Sequence, residues 1–223
     1  MNSKFLDITR IVSFIMTVYI WRKVQFAELS QLAAYIVVIG PILFVFPVVW
    51  IGRKAVDLKA TIERVAWITS FVHIVLMVFF GTSIIEAIRL FQISRGITIP
   101  LPVEFGTVLL YLTGTCLSLT VVNLAFSGLG APFVIALSKR LANRGMYRWT
   151  RNPMVLSTLA TLLSAGFYLQ SLYFILWIFL LITPAWIYFL KAYEERELEI
   201  RFGASYLDYK TNISFLWPRK PRG

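Results

Sequence analysis

Long apolar runs constrain the fold of this chain more than any other feature of its sequence. Several of them reach the length of about 20 residues that a helix needs to cross the hydrocarbon core of a bilayer. Only 15% of the residues are charged, whereas about one-quarter are charged in a typical soluble domain. The sequence therefore predicts an all-α, polytopic membrane protein in which residues 1–223 form a single membrane domain.

The apolar runs predict five or six transmembrane helices. The predicted spans cover residues 5–21, 30–51, 66–88, 103–126 and 153–168, and a last helix begins near residue 172 and continues to Gly203. A signal peptide is the alternative for the first run, but no small-residue cleavage site follows it, so a short first span is the better interpretation. A charged linker is predicted over residues 53–64. The small residues at 157, 160, 161 and 164 predict close packing of the fifth span against another helix.

The longest polar connection, residues 127–152, lies between the fourth and fifth spans. Within it, a helix over residues 132–143 would place apolar side chains on one side and Lys139, Arg140 and Asn143 on the other. This pattern predicts an amphipathic helix at the membrane interface that ends near Gly145.

The distribution of basic residues predicts the orientation of the chain. Eighteen of the 22 Lys and Arg fall on one side if the amino terminus, the linker, the 127–152 connection and the carboxyl tail share that side. Basic residues of membrane proteins gather on the cytoplasmic side, so these segments are predicted to face the cytoplasm. This distribution also explains the formal net charge of +11, and nucleic-acid binding is not expected.

A basic and aromatic stretch, residues 145–154, leads into the fifth span. Asn152 is a good N-cap residue, and Pro153 follows at the first helical position, where its missing N–H costs nothing. The start of this helix offers N–H donors and a partial positive charge, and Arg151 stands beside it. Such a helix start suits a carboxylate or a phosphate.

An acidic stretch lies near the end of the last helix. A helix from Leu172 to Phe202 would be about 46 Å long, which exceeds the bilayer core of about 30 Å, so its last turns lie at or beyond the interface. Those turns carry Glu194, Glu195, Glu197 and Glu199. A solvated helix end with intrahelical pairs such as Glu197–Arg201 is the alternative to a binding site.

Four motifs complete the region after the fourth span. They are Arg-Asn-Pro at 151–153, Glu-Glu-x-x-Leu at 194–198, Phe-Gly-x-x-Tyr-x-x-Tyr at 202–209 and Pro-Arg at 218–219. Together they resemble the integral-membrane methyltransferases typified by isoprenylcysteine carboxyl methyltransferase, with the phospholipid N-methyltransferases as relatives. The resemblance covers residues 123–219, which makes 127–219 the methyltransferase region and 1–126 the N-terminal transmembrane helices. The best-known members have His where this chain has Asn152, which excludes an imidazole-specific role at that position.

The resemblance implies S-adenosylmethionine as the cofactor and a site at the cytoplasmic face of the membrane. It implies catalytic roles for Arg151 and Glu195. The implied cofactor-binding residues are Gly145, Tyr147, Arg151, Asn152, Pro153, Met154, Glu194, Glu195, Tyr206 and Tyr209. Arg151 suits the carboxylate of the cofactor, Glu194 or Glu195 suits its ammonium, and the aromatic residues suit its adenine or sulfonium.

The sequence does not determine which acceptor is methylated. The resemblance implies a lipophilic acceptor that arrives from the surrounding membrane lipids, with a prenylcysteine-type carboxylate expected first and a phospholipid amine, or a small lipophilic acid or thiol, as the alternative. Two other functions are alternatives: a steroid-reductase-like membrane oxidoreductase that would bind NADPH, and a non-enzymatic scaffold or transporter subunit. No combination of His, Cys and acidic residues has the spacing of metal ligands, and His73 is expected to bond a neighbouring helix.

Overall fold

The computed structural model of the chain describes residues 3–93, 96–128 and 137–220. The helices in this part of the chain are α1 (Ser3–Gln25), α2 (Gln31–Leu58), α3 (Ile62–Ile93), α4 (Val103–Gly128), α5 (Pro153–Tyr168), α6 (Leu172–Phe202) and α7 (Ala204–Asn212), with a short 3₁₀ helix at Gly145–Arg148. Over the described residues, the only extended pairing is a single bridge between Thr98 and Ser171. The predicted all-α fold is confirmed.

Four of these helices are long and apolar enough to cross a membrane, as judged by their length and composition. They are α2, α3, α4 and α6. Helix α5 is apolar as well but has only 16 residues. The predicted first span does form a helix, α1, yet it is not among these four. The prediction of five or six spans therefore has direct support for four.

The connection between α2 and α3 is shorter than the linker that the sequence predicts over residues 53–64. Helix α2 continues to Leu58, and α3 begins at Ile62. Arg53 and Asp57 form an ion pair of 2.5 Å one helical turn apart, a spacing that stabilises a helix. The charged residues therefore extend α2 beyond its apolar part instead of ending it.

The core of the protein lies where α2, α3 and α6 pack together. Its fully buried side chains include Ile42 of α2, Leu76 of α3 and Ile182 of α6. The outer faces of the same helices leave large apolar side chains such as Phe44 and Phe71 exposed. Residues of this kind on the outside of a helical bundle suit contact with lipid, which agrees with an integral membrane protein.

Helix α4 packs against α5 through small residues. The hydroxyl oxygens of Thr120 and Ser157 lie 3.2 Å apart, and Thr113 donates a hydrogen bond of 3.2 Å to Ser164. Small residues let the helix backbones approach closely in a membrane, and hydroxyl pairs then join the helices. The close packing predicted for Ser157 and Ser164 is confirmed.

The amphipathic helix predicted over residues 132–143 is wrong in its described part. Residues 132–136 lie outside the described residues, and residues 137–143 are not helical. Their backbone groups are bonded elsewhere: the N–H of Arg140 donates to the carbonyl of Gly128 at 3.1 Å, and the carbonyl of Ser138 accepts from Arg201. These bonds to distant residues take the place of the bonds that a helix would make.

The alternation of helices brings the sequence motifs to one end of the bundle. Asp57, near the end of α2, pairs with Arg196 of α6 at 2.9 Å, and the start of α5 lies at this end as well. We call this the motif end. At the opposite end, the N–H of Leu172 donates to the carbonyl of Ile97 at 3.1 Å, beside the end of α3. We call this the far end.

Candidate active site

Helix α5 starts where the sequence predicts, but it does not have the predicted N-cap hydrogen bond. Pro153 occupies the first turn of α5, as predicted. The side chain of Asn152 does not cap the helix. Its Nδ2 instead donates a hydrogen bond of 2.8 Å to the carbonyl of Phe215. The predicted N-cap bond is therefore wrong, because an asparagine amide also has donors and the carboxyl tail supplies an acceptor for them.

The carboxyl tail runs back across the stretch that contains Arg151. The N–H of Arg151 donates to the carbonyl of Ser214 at 2.9 Å, and the N–H of Arg219 donates to the carbonyl of Trp149 at 2.9 Å. The hydroxyl of Thr150 donates to the carbonyl of Phe215 at 3.2 Å. These bonds place the closing Pro-Arg motif beside the Arg-Asn-Pro motif and fix the backbone from which the Arg151 side chain extends.

The last turns of α6 present two different acidic faces. A π turn at Leu190–Glu194 inserts one extra residue into the helix, and the N–H of Glu195 donates to the carbonyl of Leu190 across it. Turns of this kind occur often at functional sites. Glu194, at the end of this turn, and Glu197 line one side of a cavity, whereas Glu195 and Glu199 both contact Lys210. The spacings of three and four residues explain this division.

Arg151 is a buried cation at the centre of the site. Its Nη1 lies 3.0 Å from Oε1 of Glu195, and only 10% of its side chain is exposed. Within the described residues, its Nε has no hydrogen-bond partner, and its Nη1 has the ion pair with Glu195 as its contact. A buried donor without an acceptor is costly, so the guanidinium is prepared for a further anionic partner.

Lys210 is a functional candidate that the sequence analysis missed. Its Nζ lies 2.6 Å from Oε2 of Glu195 and 3.0 Å from Oε1 of Glu199. The hydrogen bond with Glu195 raises the pKa of the Lys210 ammonium above its ordinary value, so it stays charged at neutral pH. Its position four residues after Tyr206, on the same face of α7, is the signal in the sequence that points to it.

Three buried tyrosines form the aromatic side of the site. Tyr209 donates from its hydroxyl to the carbonyl of Tyr147 at 2.7 Å, and the rings of Tyr206 and Tyr209 lie 6.3 Å apart. Burial raises the pKa of all three hydroxyls, so they remain neutral hydrogen-bond donors at physiological pH. Trp149, the other aromatic residue of this stretch, is 53% exposed and turns away from them.

Most of the residues predicted to bind the cofactor meet around one cavity at the motif end. Those that line it are Tyr147, Arg151, Asn152, Met154, Glu194, Tyr206 and Tyr209. Of the remaining three, Gly145 holds a turn with φ of 60°, Pro153 begins α5, and Glu195 contacts Arg151 without lining the cavity. The structure thus brings the predicted set together from three parts of the chain that are distant in sequence.

Residues that the sequence analysis did not assign to a site complete the cavity wall. His73 of α3 lies edge-on to Phe189 of α6, with ring centroids 5.7 Å apart, and both line the cavity. Arg201 also lines the cavity but is paired with Glu197. No signal in the sequence places His73 in the same cavity as Arg151, because its position depends on how α3 packs against α6.

A family comparison covers the same region. Residues 103–205 match the family model described as phospholipid methyltransferase. The match takes in α4, α5 and α6, begins earlier than the region predicted from the motifs, and ends just before Tyr206. No curated protein and no solved structure matches the chain. The family resemblance carried by the motifs is thereby confirmed: the match over residues 103–205 is consistent with the isoprenylcysteine and phospholipid group of membrane methyltransferases.

Proposed function

We propose that this chain is a membrane methyltransferase that uses S-adenosylmethionine and acts on a lipophilic acceptor. The observation that carries the proposal is Arg151, a buried guanidinium whose Nε has no acceptor, in a cavity that is also lined by two glutamates and three tyrosines. The family match of residues 103–205 supports methyl transfer in a membrane.

The charges of the cavity fit an amino-acid zwitterion. Arg151 offers donors to a carboxylate, and a guanidinium binds a carboxylate through two parallel hydrogen bonds. Glu194 lines the cavity and pairs with no base among the described residues, so it is the better partner for an ammonium group. The cofactor supplies an electrophilic methyl group on a sulfonium, and the tyrosine rings suit that positive charge.

Lys210 explains how Arg151 can change partners without leaving a buried charge alone. When Arg151 turns towards a ligand carboxylate, Glu195 keeps its 2.6 Å contact with Lys210. Removing one partner of a buried ion pair is otherwise strongly destabilising. Glu195 and Lys210 would thus position Arg151, and Arg151 would bind the ligand directly.

NADPH is the alternative cofactor, and its phosphates would need several cations. The cavity wall has three arginines, Arg140, Arg151 and Arg201, beside the carboxylates of Glu194 and Glu197, so the choice between the two cofactors depends on which of these cations already have a partner. Arg201, another base in the cavity wall, is already paired with Glu197. A buried donor of Arg151 without an acceptor destabilises the protein. A scaffold that binds no ligand would carry this cost without any gain, which makes a scaffold the weaker interpretation.

Two classes of acceptor have support. The motifs resemble those of enzymes that methylate a prenylcysteine carboxylate. The matching family model is described as phospholipid methyltransferase, and the amine of a phospholipid is the alternative acceptor. With either acceptor, methyl transfer would break the bond from methyl to sulfur and form a new bond to oxygen or nitrogen, and an amine would also have to lose one proton. Positioning and electrostatics supply most of the rate in such a transfer. The apolar side of the cavity, at Val155 and Phe189, is suited to the lipid part of either acceptor.

Isothermal titration calorimetry tests the cofactor. The purified protein is expected to bind S-adenosylhomocysteine, the product form of the cofactor, and not to bind NADPH under the same conditions. Binding of NADPH alone would support the oxidoreductase alternative, and binding of neither ligand would support the scaffold.

We also propose that the motif end faces the cytoplasm, on the basis of the distribution of basic residues. The test is labelling of single cysteines, introduced as Thr211→Cys at the motif end and Thr98→Cys at the far end in a Cys116→Ser background. Both threonines are exposed, so the new thiols are accessible to an impermeant reagent added from outside intact cells. Thr98→Cys is expected to react and Thr211→Cys to be protected. The reverse pattern, or equal labelling, would contradict this orientation.

A further inference from the structure

A second pocket, which contains charged residues, lies at the far end of the bundle, opposite to the end with Arg151. It is lined by Glu28, Leu29, Gln31, Ala34, Glu86, Arg89, Leu90 and Ile93. These residues belong to the end of α3, the start of α2 and the connection from α1 to α2. The pocket has a volume of about 540 Å³, whereas a single water molecule needs only about 10–15 Å³. It is large enough for a charged headgroup.

Glu86 is the unusual residue of this pocket. Its side chain is only 1% exposed, and Oε1 accepts a hydrogen bond of 2.8 Å from Nη2 of Arg89, three residues along the same helix. Its Oε2 is buried and has no hydrogen-bond partner among the described residues. A buried carboxylate oxygen without a donor is costly, so Oε2 is oriented for a donor that the described chain does not supply.

Arg89 cannot supply that donor in its present position. Its Nε and Nη2 both donate to Oε1 of Glu86, and its Nη1 donates to the carbonyl of Ala27. The guanidinium of Arg89 therefore joins the α1–α2 connection to α3 by hydrogen bonds and leaves Oε2 of Glu86 without a donor. The pocket also contains the carboxylate of Glu28, which is exposed. Two carboxylates and one guanidinium leave a net charge of −1, which suits a ligand with a single positive charge.

We propose that this far-end pocket binds a primary ammonium group, with Glu86 as its main ligand and Glu28 at its rim. A primary ammonium has three N–H donors, enough to satisfy Oε2 and still reach a second acceptor. Such a group is presented by the headgroup of an aminophospholipid or by a small soluble amine. Glu86 lies thirteen residues along α3 from His73, or about 20 Å, so the ligand is not in the candidate active site. The proposal does not depend on the proposed function.

The test compares retention of lipids by the full-length protein in nanodiscs. Discs contain phosphatidylcholine alone, or phosphatidylcholine with either phosphatidylethanolamine or its N-acetylated form, which lacks the ammonium. Lipid retained after extraction is measured by native mass spectrometry. We expect the wild-type protein to retain phosphatidylethanolamine and to be stabilised by it against heat, whereas the other two lipids should have no such effect.

Glu86→Gln keeps the shape of the side chain but removes its charge, and it should weaken the preference for phosphatidylethanolamine by about tenfold or more. Glu28→Gln changes an exposed residue, which avoids any loss of folding, and should weaken the preference in the same direction but less. The matched control is Glu104→Gln, an exposed carboxylate in the first turn of α4 at the far end, which should behave as the wild type.

Free ethanolamine, added to discs of phosphatidylcholine, identifies the source of the ammonium. If ethanolamine stabilises the wild-type protein as strongly as phosphatidylethanolamine does, and does not stabilise Glu86→Gln, the ligand is a soluble amine. If phosphatidylethanolamine stabilises the wild-type protein and ethanolamine does not, the ligand is a lipid headgroup. Equal retention of phosphatidylethanolamine by the wild type and by both the Glu86→Gln and Glu28→Gln variants would overturn the proposal, and so would equal retention of the N-acetylated lipid.

Discussion

Arg151→Lys is expected to lower the rate of methyl transfer by about tenfold or more. Lysine keeps the positive charge next to Glu195 but lacks the planar pair of donors with which a guanidinium binds a carboxylate. One hydrogen bond to a charged group contributes about 1.5–3 kcal/mol, and tenfold corresponds to about 1.4 kcal/mol. The assay is transfer of labelled methyl to a prenylcysteine analogue and to a phospholipid amine, in detergent and in bilayers.

The matched control for this substitution is Arg148→Lys. Arg148 lies three residues earlier in the same basic stretch, but it is exposed and does not line the cavity. If basic residues here served only to contact lipid headgroups, the two substitutions would have similar and small effects, since lysine and arginine both do this. Near-normal activity of Arg151→Lys on whichever acceptor is methylated would therefore remove Arg151 from the site. The 10% exposure of its side chain makes headgroup contact the weaker interpretation.

The features of the fold that could be predicted are those encoded over one or two helical turns. The start of α5 at Pro153 and the length of α6, from Leu172 to Phe202, follow from local patterns of proline, glycine and apolar residues. The linker predicted over 53–64 is too long, because charged residues alone do not end a helix. In the structure, the pair Arg53–Asp57 stabilises another turn of α2.

The features that could not be predicted depend on contacts between distant parts of the chain. Asn152 has the composition of an N-cap, but its amide bonds to Phe215, sixty-three residues away. The helix predicted over 132–143 is absent over residues 137–143, where Arg201 of α6 donates a hydrogen bond to the carbonyl of Ser138. No local pattern identifies these partners, because they are set by the packing of α6 and of the carboxyl tail.

The candidate site shows the same limit on a smaller scale. The motifs point to Glu194 and Glu195 as a pair and give no reason to separate them. The structure separates them: Glu195 is held by Arg151 and Lys210, whereas Glu194 lines the cavity without an ion pair to any described base. The π turn that precedes Glu195 sets which way each carboxylate faces, and it has no signature in the sequence.

Glu194→Gln is therefore expected to weaken the binding of S-adenosylhomocysteine by about tenfold or more. The substitution keeps the size of the side chain but removes the acidic group that can bind an ammonium group as a carboxylate, and a hydrogen bond to a charged group contributes about 1.5–3 kcal/mol. Titration calorimetry measures the affinity, and circular dichroism shows whether the helices are intact. The matched control is Glu199→Gln, which makes the same change in charge on the same helix but acts on a residue bound to Lys210 and Arg196 outside the cavity.

Glu195→Gln is expected to weaken the same binding by a different route. Glu195 holds Arg151 at 3.0 Å and Lys210 at 2.6 Å, so the loss of its charge leaves both cations without their shared partner and moves the guanidinium that binds the ligand carboxylate. Its effect should decrease when Arg151 is already lysine, because residues that act through one contact are not additive. The effect of Glu194→Gln should persist in that background, since the ammonium and the carboxylate are bound at different atoms. If the Gln variants at 194 and 195 both bind the ligand as well as Glu199→Gln does, the acidic residues are only the solvated end of α6.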